Sequence, residues 1–416
     1  MLSFKEFHFP PYFQFVRSLI SWADGQYAYL GFFDHNDIQY PYAGFQRLLL
    51  ASNHAFDIET ANQYYGQKEM AAILSYDYKN KTEKLQSNNP ALIDCPESIF
   101  FIPELKIEIL MDKVIIFHSD PQRVFDEIID FNAELPKNPP IEINPLTNRD
   151  TYFENVKAIQ NHIVEGDMYE LNYCIGFEFE GKGWNPVSGF QELMKKSPMP
   201  FSAFFKAESK YLICASPERF LKKTGDKLIV QPIKGTIKRG INELEDALLK
   251  EKLLNSEKER AENLMIVDLM RNDLSRISRT GSVIVEELFG VYPFSRVHQM
   301  ISTVVSTIAE KKSLLDIIHA TFPMGSMTGA PKIKCMQLID QCEDFKRGWF
   351  SGTLGYIDSE GNFDLCVIIR SMIFDRETGK GYFAVGSAIT YDADAAYEYE
   401  ECLLKASAVM EVLQGK

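Results

Sequence analysis

The chain has 416 residues, of which 45% are hydrophobic and 25% are charged, and its formal net charge is −14. This composition is typical of globular proteins and excludes the disordered and fibrous classes. The acidic balance argues against a nucleic-acid partner, because binding of phosphate groups requires a concentrated basic surface.

The seven cysteines are scattered, with no CxxC pair and no spacing typical of zinc ligands. This pattern indicates free thiols in a reducing compartment. The first residues contain no basic segment followed by an apolar one, and no apolar run reaches the roughly 18 residues that a membrane helix needs. We therefore expect a cytoplasmic protein that does not contact a membrane.

The first 130 residues combine turns with aromatic and apolar segments. Strands are predicted at residues 27–33, 98–102 and 113–117, where apolar residues form short runs. Residues 131–147 are rich in proline, which neither a helix interior nor a central strand accepts. We expect this segment to connect an N-terminal region, 1–130, to a second region, 148–416.

The second region begins with a predicted helix that Asn148 or Thr147 can cap and that Gly166 can end. Its apolar positions follow helical spacing, at Tyr152, Val156, Ile159 and Ile163. Beyond it, strand patterns alternate with helix patterns. We expect an α/β (α+β) fold of layered sheets and helices.

A predicted hairpin carries the first candidate chemistry. Glu218 precedes one strand, Gly225 and Asp226 form the turn, and Lys234 lies at the end of the second strand. A two-residue loop places Glu218 opposite Ile233, whereas a longer loop or a bulge places it beside Lys234. The pair could form a plain cross-strand ion pair. Alternatively, burial of Lys234 could lower its pKa and give the neutral amine that a nucleophile requires.

Two predicted helices each carry a pair of glutamates three residues apart, and such residues share one helix face. The pairs are Glu259 with Glu262, and Glu398 with Glu401, which Lys405 follows. Glu259 could simply complete a capping box, and the second pair could be a solvated acidic face. Together, however, the two pairs could hold Mg²⁺, which prefers oxygen ligands.

Three further segments could bind an anion. Residues 322–332 form a glycine-bearing turn, with Thr328 and Gly329, before a helix whose first position suits Pro331. Gly386 and Ser387 would let a ligand approach the backbone of a strand. Arg370 follows an apolar run and could bind a carboxylate with its guanidinium group.

Together these segments resemble the chorismate-utilising enzymes, which include the anthranilate, aminodeoxychorismate and isochorismate synthases. The resemblance covers residues 148–416, with residues 1–130 similar to the more variable N-terminal part of the family. It rests on residues 166–172, 216–220, 232–236, 262–273, 325–332 and 398–406, and on His298, Tyr356 and Arg370. It implies an anthranilate-synthase-like fold with the active site in a cleft between two intertwined halves.

The resemblance also implies residue roles. Glu262 and Glu401 would bind Mg²⁺ directly, Glu259 and Glu398 would bind it through water, and Glu218 would be the general acid. The implied substrate-binding residues are Tyr356, Arg370, Gly386, Ser387, Thr328, Gly329, His298, Thr236 and Lys405. Val385 and Ala388 depart from the glycine-rich stretch that is common in the family.

Position 234 distinguishes members of the family. The Pro-Ile-Lys-Gly-Thr segment around Lys234 resembles aminodeoxychorismate synthases, which implies amination of chorismate at C4 through a covalent lysine intermediate, on the route to 4-aminobenzoate and folate. Isochorismate synthases have a lysine base where this chain has Glu170. No glutaminase motif is present, so the ammonia would come from a separate glutamine amidotransferase. An anthranilate synthase large component and a non-catalytic chorismate-binding sensor are the alternatives.

Overall fold

The computed structural model describes residues 3–131 and 134–416, which form two antiparallel sheets and eleven α-helices. The strands are β1 (Ser3–Phe7), β2 (Tyr29–Asp34), β3 (Leu48–Ser52), β4 (Met70–Leu74), β5 (Ser98–Phe101), β6 (Leu105–Ile109), β7 (Val114–His118), β8 (Ile143–Pro145), β9 (Glu170–Glu180), β10 (Phe201–Ala207), β11 (Lys210–Ser216), β12 (Arg219–Thr224), β13 (Lys227–Gln231), β14 (Ile233–Lys238), β15 (Ile284–Pro293), β16 (Val297–Thr307), β17 (Gly329–Ala330), β18 (Thr353–Ile357), β19 (Phe363–Val367), β20 (Ser371–Asp375) and β21 (Lys380–Ile389).

The helices pack against the two sheets and against one another. They are α1 (Tyr12–Gln26), α2 (Ile58–Tyr64), α3 (Lys79–Thr82), α4 (Pro121–Asp130), α5 (Arg149–Val164), α6 (Pro186–Lys196), α7 (Glu243–Leu254), α8 (Glu257–Ser275), α9 (Leu314–Thr321), α10 (Lys332–Cys342) and α11 (Ala395–Leu413), with short 3₁₀ turns at Tyr76–Tyr78 and Gly325–Met327. None of the helices in the described part of the chain is both long and apolar enough to cross a membrane.

The larger sheet has twelve strands, in the order β1-β7-β6-β3-β2-β10-β11-β20-β21-β9-β17, and β8 pairs with β9. The smaller sheet has nine, in the order β14-β16-β13-β12-β19-β18-β4-β5, and β15 pairs with β16. The apolar core lies between the sheets. Phe33 of the larger sheet packs edge-on against Tyr356 of the smaller one, with ring centroids 5.2 Å apart. The predicted α+β layering is therefore confirmed.

Several predicted elements are confirmed. The three N-terminal strand predictions correspond to β2, β5 and β7. Asn148, rather than Thr147, caps α5, because its side chain accepts a hydrogen bond from the backbone N–H of Thr151. Gly166 follows that helix with φ +83°, a conformation that glycine adopts at no steric cost. Pro331 precedes the first residue of α10 instead of occupying it.

The strands of the N-terminal region are built into both sheets. β2 pairs with β10 in the larger sheet, and β4 pairs with β18 in the smaller one. The proline-rich segment includes β8, which pairs with β9, while its residues 132–133 lie outside the described part of the chain. The proposed division of the sequence at 131–147 is thus a boundary along the chain that two strand pairs cross, β2 with β10 and β4 with β18.

Candidate active site

A cavity of about 120 Å³ lies where the two sheets, α8 and α11 meet. The smaller sheet contributes β14 and Gln299, and the larger sheet contributes Asn172 and the end of β21. Ten of the sequence-predicted site residues line it together: Glu218, Lys234, Thr236, Glu259, Glu262, Arg370, Gly386, Glu398, Glu401 and Lys405. The structure therefore gathers residues that lie up to 187 positions apart in the sequence.

The hairpin has the predicted two-residue turn, because Thr224 pairs with Lys227. A bulge between Arg219 and Lys222 then shifts the register. Lys234 does not continue this hairpin, since Pro232 interrupts the strand and β14 pairs with β16 instead. Neither of the two registers considered from the sequence describes this geometry, because both treated residues 227–236 as one strand.

Glu218 is buried, with 4% of its surface exposed. Its Oε1 accepts a hydrogen bond of 3.2 Å from the backbone N–H of Ile233. Burial raises the pKa of Glu218 to about 7, although the Ile233 hydrogen bond partly opposes the shift. A carboxyl group with this pKa can be protonated near neutral pH, which is the form that a general acid needs.

Lys234 forms an ion pair with a residue other than Glu218. Its Nζ donates to Oε1 of Glu170 at 2.7 Å, and the Glu170 side chain is fully buried. Burial lowers the pKa of Lys234, but the carboxylates of Glu170, Glu262 and Glu218 more than compensate and raise it above its ordinary value. The expectation of a neutral amine is therefore wrong for the resting site, because neighbouring carboxylates outweigh desolvation.

Four glutamates form one wall of the cavity: Glu259, Glu262, Glu398 and Glu401. Burial raises the pKa of Glu262 to about 8, with Glu170 and Glu259 adding to the shift. Burial and the Glu401 carboxylate also raise the pKa values of Glu259 and Glu398. Lys258 and Lys405 lower the pKa of Glu398 but do not cancel this effect, so a further cation would stabilise the ionised glutamates.

Two observations bear on whether this wall fits Mg²⁺. Oε1 of Glu262 is buried and has no hydrogen-bond partner, as expected for a ligand atom awaiting a cation. The Lys258 ammonium group lies between the helices, 3.0 Å from Oε1 of Glu398 and 3.8 Å from Oε1 of Glu262. The donor set suits a hard cation, and Lys258, which is 38% exposed, can turn aside to admit it.

The tightest cluster of possible ligands in the described residues lies elsewhere, at His162, Glu165 and Asp167, whose ligand atoms are within 4.8 Å of one another. It is a surface cluster in which His162 and Lys334 already contact Asp167. We do not assign it a metal, because exposed acidic groups that are paired with cations need no further partner. The four glutamates are spaced more widely, and two of them, Glu262 and Glu398, are buried.

Arg370 faces the cavity in a conformation unusual for arginine, with φ +49°. Burial lowers the pKa of its guanidinium group to about 10, and Glu218 only partly offsets this. Within the described chain its side chain forms no ion pair or hydrogen bond with protein. A half-buried, unpaired guanidinium group supported by a strained backbone is an effective binding group for a carboxylate.

The end of β21 offers backbone donors beside Arg370. Cys174 N donates to Glu343 and Asn172 N donates to Thr328 O, so both groups point away from β21. The residues opposite them, Gly386 and Ala388, must therefore direct their own N–H groups away from β9. Because β20 pairs only as far as Phe383, those groups are free to bind a ligand.

Lys405 and Thr236 complete the substrate side of the cavity. Lys405 donates to Gly386 O at 3.0 Å and to Oε1 of Glu401 at 2.6 Å. Burial would raise the pKa of Glu401, but this ion pair brings the pKa below its ordinary value. Gly235 lies between Lys234 and Thr236 with φ +94°, and a Cβ there would approach Oε2 of Glu259 to 3.1 Å.

Five predicted substrate-binding residues do not line the cavity. The Tyr356 hydroxyl accepts a hydrogen bond from Gln46 N, and its ring packs against Phe33 and Phe45. The Ser387 hydroxyl lies 3.0 Å from the Tyr152 hydroxyl, because alternation along β21 turns Ser387 away from the cavity. The expected substrate-binding roles of these two residues are therefore corrected. Aromatic packing holds Tyr356, and strand alternation turns the Ser387 side chain away from the cavity.

The other three have structural contacts as well. The Thr328 hydroxyl donates to Met324 O and Gly325 O within its own turn. Gly329 has φ +133°, and a Cβ there would lie 2.1 Å from Glu170 O, so close packing of β17 on β9 requires glycine. His298 Nε2 lies 2.9 Å from Oδ1 of Asp246 on α7, outside the cavity.

Sequence reasoning missed Glu170 as a site residue and noted it only as a departure from isochorismate synthases. It also missed Asn172, Lys258, Gln299 and Ser326, which line the cavity. Lys258 could have been found, because it lies four residues before Glu262 on the same helix face. The contact between Glu170 and Lys234 joins the two sheets and has no local signature in the sequence.

The chain matches the chorismate binding enzyme family over residues 19–411. Among curated proteins it is 38% identical over 270 residues to aminodeoxychorismate synthase component 1 of Klebsiella aerogenes, covering 64% of this chain and 59% of that protein. It is 36% identical over 267 residues to anthranilate synthase component 1 of Aquifex aeolicus, covering 64% of this chain and 53% of the relative. The matches thus span just over half of the relatives' length.

Solved structures show the same fold. Anthranilate synthase component I from Streptococcus pneumoniae superposes with a TM-score of 0.76 at 23% identity, covering 98% of this chain and 92% of that chain. The menaquinone-specific isochorismate synthase from Escherichia coli superposes with a TM-score of 0.80 at 15% identity, covering 100% and 95%. The match over residues 19–411 takes in almost the whole sequence, and the chain is therefore a member of the chorismate binding enzyme family.

Proposed function

We propose that the protein aminates chorismate at C4 with ammonia and yields 4-amino-4-deoxychorismate, an intermediate on the way to 4-aminobenzoate and folate. The observation that carries this proposal is the presence of Lys234 and Glu218 in one cavity with an unpaired Arg370. The names of relatives such as the Klebsiella aerogenes protein support it. The relatives also include anthranilate synthases, so the choice of amination at C4 over anthranilate formation rests on Lys234.

Substrate placement follows from the charges in the cavity. One carboxylate of chorismate would pair with Arg370 and accept hydrogen bonds from the N–H groups of Gly386 and Ala388. The other would face Glu262 and Glu401, with Glu259 and Glu398 behind them, where Mg²⁺ is the proposed cofactor. When bound, Mg²⁺ would neutralise that carboxylate and stabilise the charge that develops on the ring.

Proton transfer would prepare Lys234 for attack. Glu170 accepts the Nζ hydrogen bond at 2.7 Å and is therefore placed to take the ammonium proton. The resulting amine forms a bond to ring C2 while the C4–O bond breaks. Glu218 gives its proton to the departing oxygen, which leaves as water.

Ammonia would then form a bond to C4 while the bond between Lys234 and C2 breaks. The amine of Lys234 is released and takes its proton back from Glu170, and the new ammonium group at C4 returns a proton to Glu218. The sum of the two displacements is chorismate plus ammonia giving the 4-amino product plus water. Each residue is restored to the state in which it began.

The test is to incubate the protein with chorismate, Mg²⁺ and ammonium and to identify the product by chromatography and mass spectrometry. We expect the 4-amino isomer, together with a ring adduct on Lys234 when turnover is quenched early. Accumulation of fluorescent anthranilate, the ortho isomer, would instead support the anthranilate synthase alternative. Binding of chorismate without turnover would support the sensor alternative.

Two further proposals concern context. The words "component 1" in the names of relatives support a separate partner component, which we propose is a glutamine amidotransferase that supplies ammonia. All seven cysteines are free thiols, which suits a reducing compartment, so we propose a cytoplasmic location. Co-purification with a glutaminase activity and cell fractionation would test these two proposals.

A further inference from the structure

Lys234, the proposed nucleophile, lies on an edge strand whose ladder is interrupted. β14 is the outermost strand of the smaller sheet and pairs with β16. The pairing is made at Ile233 and resumes at Thr236 after a shift in register, and Lys234 and Gly235 fall in that shift. A bulge of this kind re-aims a side chain, so the position of the Lys234 ammonium group depends on how the strand is held on either side.

The strand is held differently at its two ends. Before Lys234, the backbone N–H of Ile233 donates to Glu218 at 3.2 Å. The N–H of Ser302 on β16 also donates to Pro232 O at 3.2 Å. After Lys234, the chain is held by a group of residues around one carboxylate, here called the Asp246 cluster: Arg239, Gly240, Asp246 and His298. Among the described residues, those that line the active-site cavity include none of these four.

Asp246, on α7, is the centre of this cluster. Its two carboxylate oxygens accept from Nε and Nη2 of Arg239 at 2.7 and 2.8 Å, which is a two-pronged contact. Oδ1 also accepts from the backbone N–H of Gly240 at 2.8 Å and lies 2.9 Å from Nε2 of His298. These groups, Arg239 first, hold the pKa of Asp246 below its ordinary value, so the carboxylate is charged at neutral pH.

The Asp246 cluster connects the end of β14 to its neighbours. His298 lies on β16, the partner of β14, and is 2% exposed. Arg239 directly follows the last residue of β14. A Cβ at Gly240 would lie 2.2 Å from the backbone N of Asp246, so the chain meets α7 there at a distance that only glycine permits. One carboxylate therefore links the strand that carries Lys234 both to β16 and to α7.

We propose, on the basis of the proposed amination, that Asp246 is a positioning residue that fixes the end of β14 and thereby places Lys234 for attack on ring C2. It acts through Arg239 and His298 and contacts no reactant. Without its charge these two residues lose their common acceptor, and the segment after the bulge is held by the strand ladder alone. A misplacement of about 1 Å can lower a rate about 10²-fold, so a small shift of β14 is enough to slow the attack.

The test is Asp246→Asn, which keeps the shape of the side chain and removes its charge and one acceptor. Chorismate and Mg²⁺ without ammonium allow only the first displacement, so rapid quenching and mass spectrometry measure formation of the ring adduct on Lys234 by itself. We expect the adduct to form about tenfold or more slowly in the variant. With ammonium present, kcat should fall as well, while the KM for chorismate and the Mg²⁺ concentration for half-maximal activity stay within about twofold of the parent.

Asp24→Asn is the matched control. Asp24 also accepts from an arginine, Arg376, at 2.9 Å, and lies 3.2 Å from the Lys206 ammonium group. It belongs to α1, and no described residue of α1 lines the active-site cavity. Both substitutions should lower Tm, and only Asp246→Asn should slow adduct formation.

A second variant, His298→Phe, keeps a ring at that position and removes the contact with Asp246. It should slow adduct formation about threefold and replaces Asp246→Asn if that variant does not fold. A parental rate of adduct formation in Asp246→Asn, or in its replacement, would refute the positioning role, as would equal slowing in Asp24→Asn. These results would leave amination intact, whereas a parent protein that forms neither the adduct nor an aminated product would remove both proposals.

Discussion

Nζ of Lys234 lies 2.7 Å from Oε1 of Glu170, and this ion pair joins β14 of the smaller sheet to β9 of the larger one. The Glu170 side chain is fully buried, and its second oxygen has no hydrogen-bond partner. The pair therefore holds the proposed nucleophile in its charged form and also stabilises the contact between the sheets. Mutation of either residue will affect both properties.

Lys234→Met should abolish formation of the 4-amino product and also destabilise the protein. Removal of one partner of a buried pair leaves the other charge uncompensated, which costs about 3–5 kcal/mol. The double variant Lys234→Met/Glu170→Gln should recover most of the stability and none of the activity. Denaturant unfolding and product assays would measure both effects, and a single variant with parental turnover would exclude covalent catalysis.

Glu218→Gln should lower kcat by a factor of about 10² to 10⁴, because the departing oxygen loses its proton donor. In the parent protein the acid is lost as pH rises through the Glu218 pKa of about 7, so kcat should fall above neutrality. In the variant, kcat should not show this fall above neutrality. If the variant keeps the parental dependence of kcat on pH, the fall belongs to another group.

The same substitution should make stability less dependent on pH. The Glu218 pKa is raised from 4.5 to about 7 in the folded state, so the folded protein binds the proton more tightly than the unfolded chain. The stability that protonation of Glu218 contributes is fully present below pH 4.5 and is lost as pH rises to about 7. Glu218→Gln should therefore raise Tm at pH 8 relative to the parent, and have less effect at pH 4.

Glu262→Gln should weaken Mg²⁺-dependent turnover by removing a charge from the wall of glutamates. We expect the Mg²⁺ concentration for half-maximal activity to rise about tenfold or more, which corresponds to about 1.4 kcal/mol. Glu165→Gln, in the exposed cluster with His162 and Asp167, is the control and should leave the Mg²⁺ dependence unchanged. A weaker Mg²⁺ dependence in Glu165→Gln, with none in Glu262→Gln, would instead place the metal at the surface cluster.

Arg370→Lys should raise the KM for chorismate about 10- to 100-fold, because an ammonium group cannot reproduce the two-pronged contact of guanidinium with a carboxylate. Arg376→Lys, at a half-exposed position that pairs with Asp24, is the matched control. Steady-state kinetics would measure both. Equal KM values for the two variants would show that the substrate carboxylate binds elsewhere.

Local patterns in the sequence predicted much of the architecture. The strands at 27–33, 98–102 and 113–117, the capped helix α5 and the glutamate pairs on α8 and α11 all depend on residues near one another in the chain. Ser256 caps α8 by accepting a hydrogen bond from the backbone N–H of Glu259. The side chain of Glu259 faces the cavity instead of completing the capping box.

Contacts between distant strands could not be predicted. The pKa of Lys234 depends on Glu170, which lies 64 residues away, so burial alone predicted the wrong charge state. Ser387 and Tyr356 were placed in the cavity by resemblance, whereas their strands turn them toward Tyr152 and Phe33. The side of a strand that faces a ligand is decided by the register of the sheet, which a single sequence does not determine.

The interleaving of the N-terminal strands with both sheets bears on any attempt to prepare a smaller version of the enzyme. A fragment starting at residue 148 would lose β2 and β4, the neighbours of β10 and β18, and each of these two strands would become an unprotected edge of largely apolar residues. Such edges pair readily with other chains and promote aggregation. Redesign of this scaffold is therefore better pursued by point substitution around the cavity than by truncation.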